Sequence, residues 1–146
     1  MMRSLAFALL LPLFGFSQTL TGEQLLNKTI EYHDPTGQWE SFSGNLSVEM
    51  TGPDRSPRYT DLTIDLPNSF FKAVASQDDT TITFSVDNGQ CNVSIEPATK
   101  KAPDCERALM YRDYYTYLYG MPMKLKDPGT IIDPVVEQVA FKGKNY

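Results

Sequence analysis

Apolar positions along this chain keep a helical period at first, then alternate strictly, then return to a helical stripe. Thr21-Gly22-Glu23-Gln24 matches a capping box, in which the threonine hydroxyl and the glutamine side chain satisfy free amides at a helix start. Leu25, Leu26, Thr29, Ile30 and His33 follow at helical spacing, and Asp34-Pro35 with Gly37 ends the run. A short amphipathic helix therefore leads. Strand alternation takes over at Leu46, Val48 and Met50, and again at Leu62, Ile64 and Leu66. Gly52-Pro53-Asp54-Arg55-Ser56-Pro57 separates these two strands as a loop. Leu66-Pro67-Asn68-Ser69 reverses the chain into a third strand, Phe70 to Ser76. Its inward face is open between Phe70 with Val74 and Phe71 with Ala73 and Ala75. Inward alanines would leave room above the sheet.

Asn88-Gly89 is a two-residue hairpin signal, because both positions of the favoured turn need positive φ. Pairing Asp87 with Gln90 sets Val86 opposite Cys91, Phe84 opposite Val93 and Ile82 opposite Ile95, all apolar on one face. A slip of one residue would destroy this agreement, so Cys91 is committed to the inner face. After a loop from Pro97 to Pro103, Asp104 is a plausible N-cap for a helix from Cys105 to about Leu118, with Gly120 to end it. Ala108, Tyr111, Tyr115 and Leu118 form its stripe, widened by Met110 and Tyr114, with Glu106, Arg112 and Asp113 opposite. Asp127-Pro128-Gly129 is a turn, and Thr130 to Ile132 a short extended piece. Val135, Glu137, Val139 and Phe141 alternate as a last strand. Such a strand would end as an uncovered edge, which suggests that the chain is a fragment.

The first 17 residues read as an address. Met1-Met2-Arg3 supplies a positive start, Leu5 to Phe16 is almost unbroken apolar sequence, and Gly15 and Ser17 suit cleavage before Gln18. The run is too short for a membrane span, which takes about 20 apolar residues. Residues 18–146 then form one exported domain without stable membrane insertion. Losing Arg3 from the 13 Lys and Arg leaves 12 against 18 Asp and Glu, a formal charge of −6. With its lysines scattered, this surface is unsuited to nucleic acid. In an exported chain the two cysteines, Cys91 and Cys105, are expected to form a disulfide. His33 is the only histidine, so a Cys/His metal site lacks ligands, and neither metal nor cofactor is expected.

No catalytic constellation stands out. Asp61 and Asp65 share a strand face, but it is the outer one, and Asp113 beside Arg112 reads as a surface ion pair. No nucleophile elbow, phosphate loop or metalloprotease motif occurs. The concentrated chemistry is aromatic: Tyr111, Tyr114, Tyr115, Tyr117 and Tyr119 fall within nine residues, followed by Met121 and Met123. Amphipathic rings beside flexible thioethers suit an adaptable apolar wall with a wet rim. Ile82, Phe84, Val93 and Ile95, with Tyr111, Tyr115, Leu118 and Met121, are the expected lining for an apolar small molecule or an acyl chain. The alternative is a fully packed structural or protein-interaction module.

The run from Tyr111 to Leu125, Tyr-Arg-Asp-Tyr-Tyr-Thr-Tyr-Leu-Tyr-Gly-Met-Pro-Met-Lys-Leu, with Asp127-Pro128-Gly129-Thr130, resembles the signature of an uncharacterised family of secreted Bacteroidota proteins. Tyr32-His33-Asp34-Pro35, Trp39-Glu40-Ser41-Phe42-Ser43-Gly44 and Thr51-Gly52-Pro53-Asp54-Arg55-Ser56 extend the likeness over most of the mature chain. That family is similar in fold to LolA-type lipoprotein carriers. The resemblance implies an α+β fold: an open antiparallel half-barrel with an N-terminal helix and the Tyr-rich helix packed on its concave face. It also implies longer relatives, a periplasmic setting, and lipid or lipoprotein handling. No ligand-gating residue of the carriers matches a position here.

Overall fold

Strand alternation and turn chemistry produce a five-stranded antiparallel meander in the computed structural model, which describes residues 20–146. The leader expected over residues 1–17 lies outside the described residues. The strands are β1 (Ser43–Gly52), β2 (Arg55–Asp65), β3 (Phe70–Gln77), β4 (Thr80–Asp87) and β5 (Gln90–Glu96), and they neighbour one another in that order. The sheet is open, with β1 and β5 at its edges. Helix α1 (Gly22–His33) precedes it and helix α2 (Cys105–Tyr119) follows. Asn88 and Gly89 take φ of 47° and 80°, and the β4–β5 register pairs Asp87 with Gln90 and Val86 with Cys91, as the pattern requires.

Pairing places the inner face in rows across the strands. Gly44, Ile64, Phe71, Val86 and Cys91 make the first row, and Leu46, Leu62, Ala73, Phe84 and Val93 the second. Val48, Thr60, Ala75, Ile82 and Ile95 form the third, and Met50 faces Arg58 in a fourth. The open question in β3 resolves in favour of Phe71, Ala73 and Ala75, which are buried. Helix α2 lies across these rows. Its first residue is bonded to Cys91 on β5, its body packs on β5, β4 and β3, and Gly120 abuts Trp39 just ahead of β1. A helix of 15 residues is about 22 Å long, close to the roughly 19 Å width of five strands. The core forms beneath it from Leu62, Ile64, Phe71, Phe84, Val86, Ala108 and Tyr115. Each large apolar side chain buried there contributes about 1.5–3 kcal/mol.

Three expectations change. First, α1 has its capping box, with Thr21 Oγ1 accepting from the Gln24 amide, but it contributes no buried residue and does not join the core on the concave face. Its start is held instead by the later chain, where the Gly22 N–H donates to the Pro134 carbonyl. An apolar stripe demands cover without naming what covers it. Second, the β1–β2 loop is tighter than the prolines suggest: β1 reaches Gly52, β2 begins at Arg55, and a register shift absorbs the difference. Pro57 is accommodated because β2 there extends beyond the end of β3. Third, the strand expected over Val135–Phe141 is absent. Only Ala140–Phe141 (β6) pairs, with Lys144–Asn145 (β7), and Val135, Val139 and Phe141 stay 68%, 60% and 60% exposed. Alternation specifies faces, but a strand also needs a partner edge.

Candidate functional site

The orientation of α2 divides the inner face into two zones. Cys105, Arg112 and Thr116 lie on one flank, towards the turn ends of the strands. There Arg112 and Thr116 line a cleft of about 510 Å³ with Trp39, Phe70, Asn88 and Gly89. Tyr111, Tyr114 and Leu118 lie on the opposite flank by helical spacing, and the Tyr111 hydroxyl reaches Arg58 in the fourth row. Beneath the helix the first two rows are packed solid: Tyr115, Phe71 and Phe84 are each 1% exposed. The room left by Ala73 is taken by aromatic rings, with Tyr111 stacked on Phe84, the cross-strand neighbour of Ala73, at 4.4 Å between centroids. In the third row Thr60 and Ala75 are buried at the centre, while Val48 on one side and Ile82 and Ile95 on the other are half-buried, and Met50 in the fourth row is exposed.

The eight expected lining residues therefore separate. Phe84 and Tyr115 are core. Ile82, Val93, Ile95 and Tyr111 are half-buried along the margin of the covered zone. Leu118 and Met121 are 48% and 45% exposed, so the structure does not bring these two into the interior. Tyr114, Tyr115 and Tyr119 cluster at the C-terminal half of α2, with the Tyr115 and Tyr119 rings stacked at 6.2 Å. Burial pushes the Tyr119 hydroxyl above the usual tyrosine value, and neighbouring Tyr115 and Tyr114 add to the effect. Gly120 is required here by space rather than by backbone angle: its φ is −89°, but a Cβ would overlap the Trp39 ring and the Thr116 carbonyl.

Arg58 is the residue that the sequence pattern did not single out. Its parity with Thr60, Leu62 and Ile64 points it inward, at the far end of the uncovered zone. Nη1 donates to the Tyr111 hydroxyl at 3.2 Å and Nη2 to the Tyr115 hydroxyl at 3.4 Å, with the guanidinium 5.8 Å from the Tyr111 ring centre. No carboxylate pairs with it among the described residues, and its buried Nε has no partner. The same side chain lines a cleft of about 410 Å³ at the β1–β2 tip, with Met50, Arg55, Gln77 and Asp54.

Cys91 and Cys105 are joined, their Cα atoms 5.7 Å apart, which staples the start of α2 to the edge strand β5. The chain matches a family of unknown function, DUF6503, over residues 5–146. It belongs to that family. Neither the curated proteins nor the solved structures give a match to this DUF6503 chain. The other acidic candidates of the DUF6503 chain are accounted for locally. Asp61 accepts from the Ser47 hydroxyl at 2.7 Å on the outer face, Asp65 accepts from Asn68, and Asp113 pairs with Arg112 at 2.7 Å. Lys100 bridges to Asp79 at 3.0 Å and holds that carboxyl below its usual range. Among the described residues no cluster of His, Cys, Asp or Glu is placed to hold a metal, and no helix is long and apolar enough to cross a membrane.

Proposed function

We propose that this is an exported, periplasmic binding or carrier protein for an amphiphile, resembling the LolA-type carriers in outline and doing no chemistry of its own. The ligand's acyl chain lies along the part of the inner face that α2 leaves uncovered. One observation carries the reading: Val48, Ile82 and Ile95 are only half-buried on either side of the buried Thr60 and Ala75, with the exposed Met50 beyond Val48 on the same strand. An apolar strip with flexible and amphipathic walls suits chains of variable length. The Cys91–Cys105 bond accords with an oxidising compartment.

A second reading rests on its own observation. Because the first two rows are filled, and Ile131, Val135 and Phe141 are 94%, 68% and 60% exposed, the molecule also has the features of a packed module whose partner covers the C-terminal stretch. Extraction separates the two. The natural mature protein, purified from its envelope without detergent and extracted with solvent, is expected to release an amphiphile in near-stoichiometric amount by mass spectrometry. Repeated extracts free of lipid would favour the packed module.

A further inference from the structure

A guanidinium partly withdrawn from water is ordinarily paired with a carboxylate. Arg58 is held by two phenols instead. Each phenol oxygen accepts from the guanidinium, so each still has a proton to donate, and among the described residues nothing accepts either one. The Nε–H is buried without a partner, and a buried unsatisfied donor points to a missing acceptor. The remaining neighbour, Met50 Sδ at 3.6 Å, is a weak acceptor without charge. Asp54 lines the adjoining cleft but makes no ion pair with Arg55 or Arg58. One uncompensated positive charge and several unused donors thus converge at one end of an apolar strip, in a protein that is otherwise acidic.

We infer that Arg58, with the hydroxyl of the half-buried Tyr111 beside it and the buried Tyr115 behind it, is the recognition site for an oxyanion, a carboxylate or phosphate, at the polar end of an amphiphile. The inference rests on the acyl-chain reading above and adds the headgroup class to it. A carboxylate suits this geometry because a guanidinium fork and phenolic O–H groups can be satisfied together by its two oxygens. The negative charge compensates Arg58, while the chain runs over Met50, its pairing partner on β1, towards the half-buried Val48. A neutral headgroup would leave the cation unpaired.

Calorimetric titration of the full mature chain with dodecanoate, dodecanol and inorganic phosphate, below micelle-forming concentrations, tests this. The wild-type protein is expected to bind dodecanoate at least tenfold more tightly than dodecanol, the increment of a charge-assisted contact. Arg58→Gln should abolish that preference, lowering dodecanoate affinity to that of dodecanol. Tyr111→Phe, which keeps its ring on Phe84, should lower the preference several-fold, and this variant serves if Arg58→Gln does not fold. Phosphate that binds as well as dodecanoate, and depends on Arg58, supports the oxyanion site and assigns it to free anions. Equal binding of dodecanoate and dodecanol, or a preference that survives both substitutions, overturns the inference while leaving the groove intact. Failure of both chain-bearing ligands to bind overturns the groove reading as well.

Discussion

Tyr115 sits with its ring stacked against Phe71 and Tyr119 while its hydroxyl reaches Arg58, so one side chain joins the packed core to the polar end of the open strip. Its 1% exposure means that truncation leaves a cavity. Tyr115→Ala is expected to lower stability by about 3–5 kcal/mol in denaturant unfolding. A loss below about 1 kcal/mol would show that α2 is not docked on rows one and two as described. At this scale the sequence was legible where several residues constrained one another and silent where one residue acted alone. The apolar pairs flanking Asn88-Gly89 specify a register because every alternative breaks several of them. Arg58 stands in the polar run Arg55-Ser56-Pro57-Arg58-Tyr59, which reads as the end of a loop. Only its parity with Thr60 and Leu62 signals that it points inward, and that parity has meaning once β2 is known to begin at Arg55.

Elements behaved according to what holds them. Helix α2 is positioned by a disulfide at its first residue, the tyrosine stripe along its length and the close approach of Gly120 to Trp39 at its end. Its stripe differs from the expected one by a small rotation: Ala108 and Tyr115 are buried, Tyr111, Arg112 and Thr116 are half-buried, and Leu118 turns outward. Helix α1 has a correct cap and an amphipathic stripe but adds no residue to the core. The periodicity of α1 states which face is apolar, and tertiary contacts, here with the later chain at Pro134, decide where that face lies. Replacing both Cys91 and Cys105 with serine is expected to cost ~3 kcal/mol by releasing the loop between them. Hydrogen exchange should report the effect as faster exchange in α2 than in β2 and β3. Uniform loss of protection across sheet and helix would contradict a staple local to α2.

On the scale of the whole molecule, a helix that crosses an open sheet near one end gives two unlike surfaces. The covered half is a conventional core that stabilises the domain. Beyond it Val48, Ile82 and Ile95 stay half-buried around the buried Thr60 and Ala75, with the Arg58 cation and two phenols at the far end. The aromatic concentration that marks the sequence thus contributes to both. Tyr115 builds the core, and Tyr111 belongs to core margin and polar end alike. Which tyrosine does which could not be read from spacing, because it depends on the angle at which α2 crosses the strands. The central claim is that the uncovered strip takes an acyl chain. Its most direct test is displacement of a neutral, environment-sensitive fluorophore by octanoate, decanoate, dodecanoate and tetradecanoate, each below its micelle-forming concentration. Affinity is expected to rise about fourfold with each added methylene until the strip is filled, the increment for burying ~0.8 kcal/mol per CH₂. Affinities independent of chain length, or no displacement by any of the four, would contradict it.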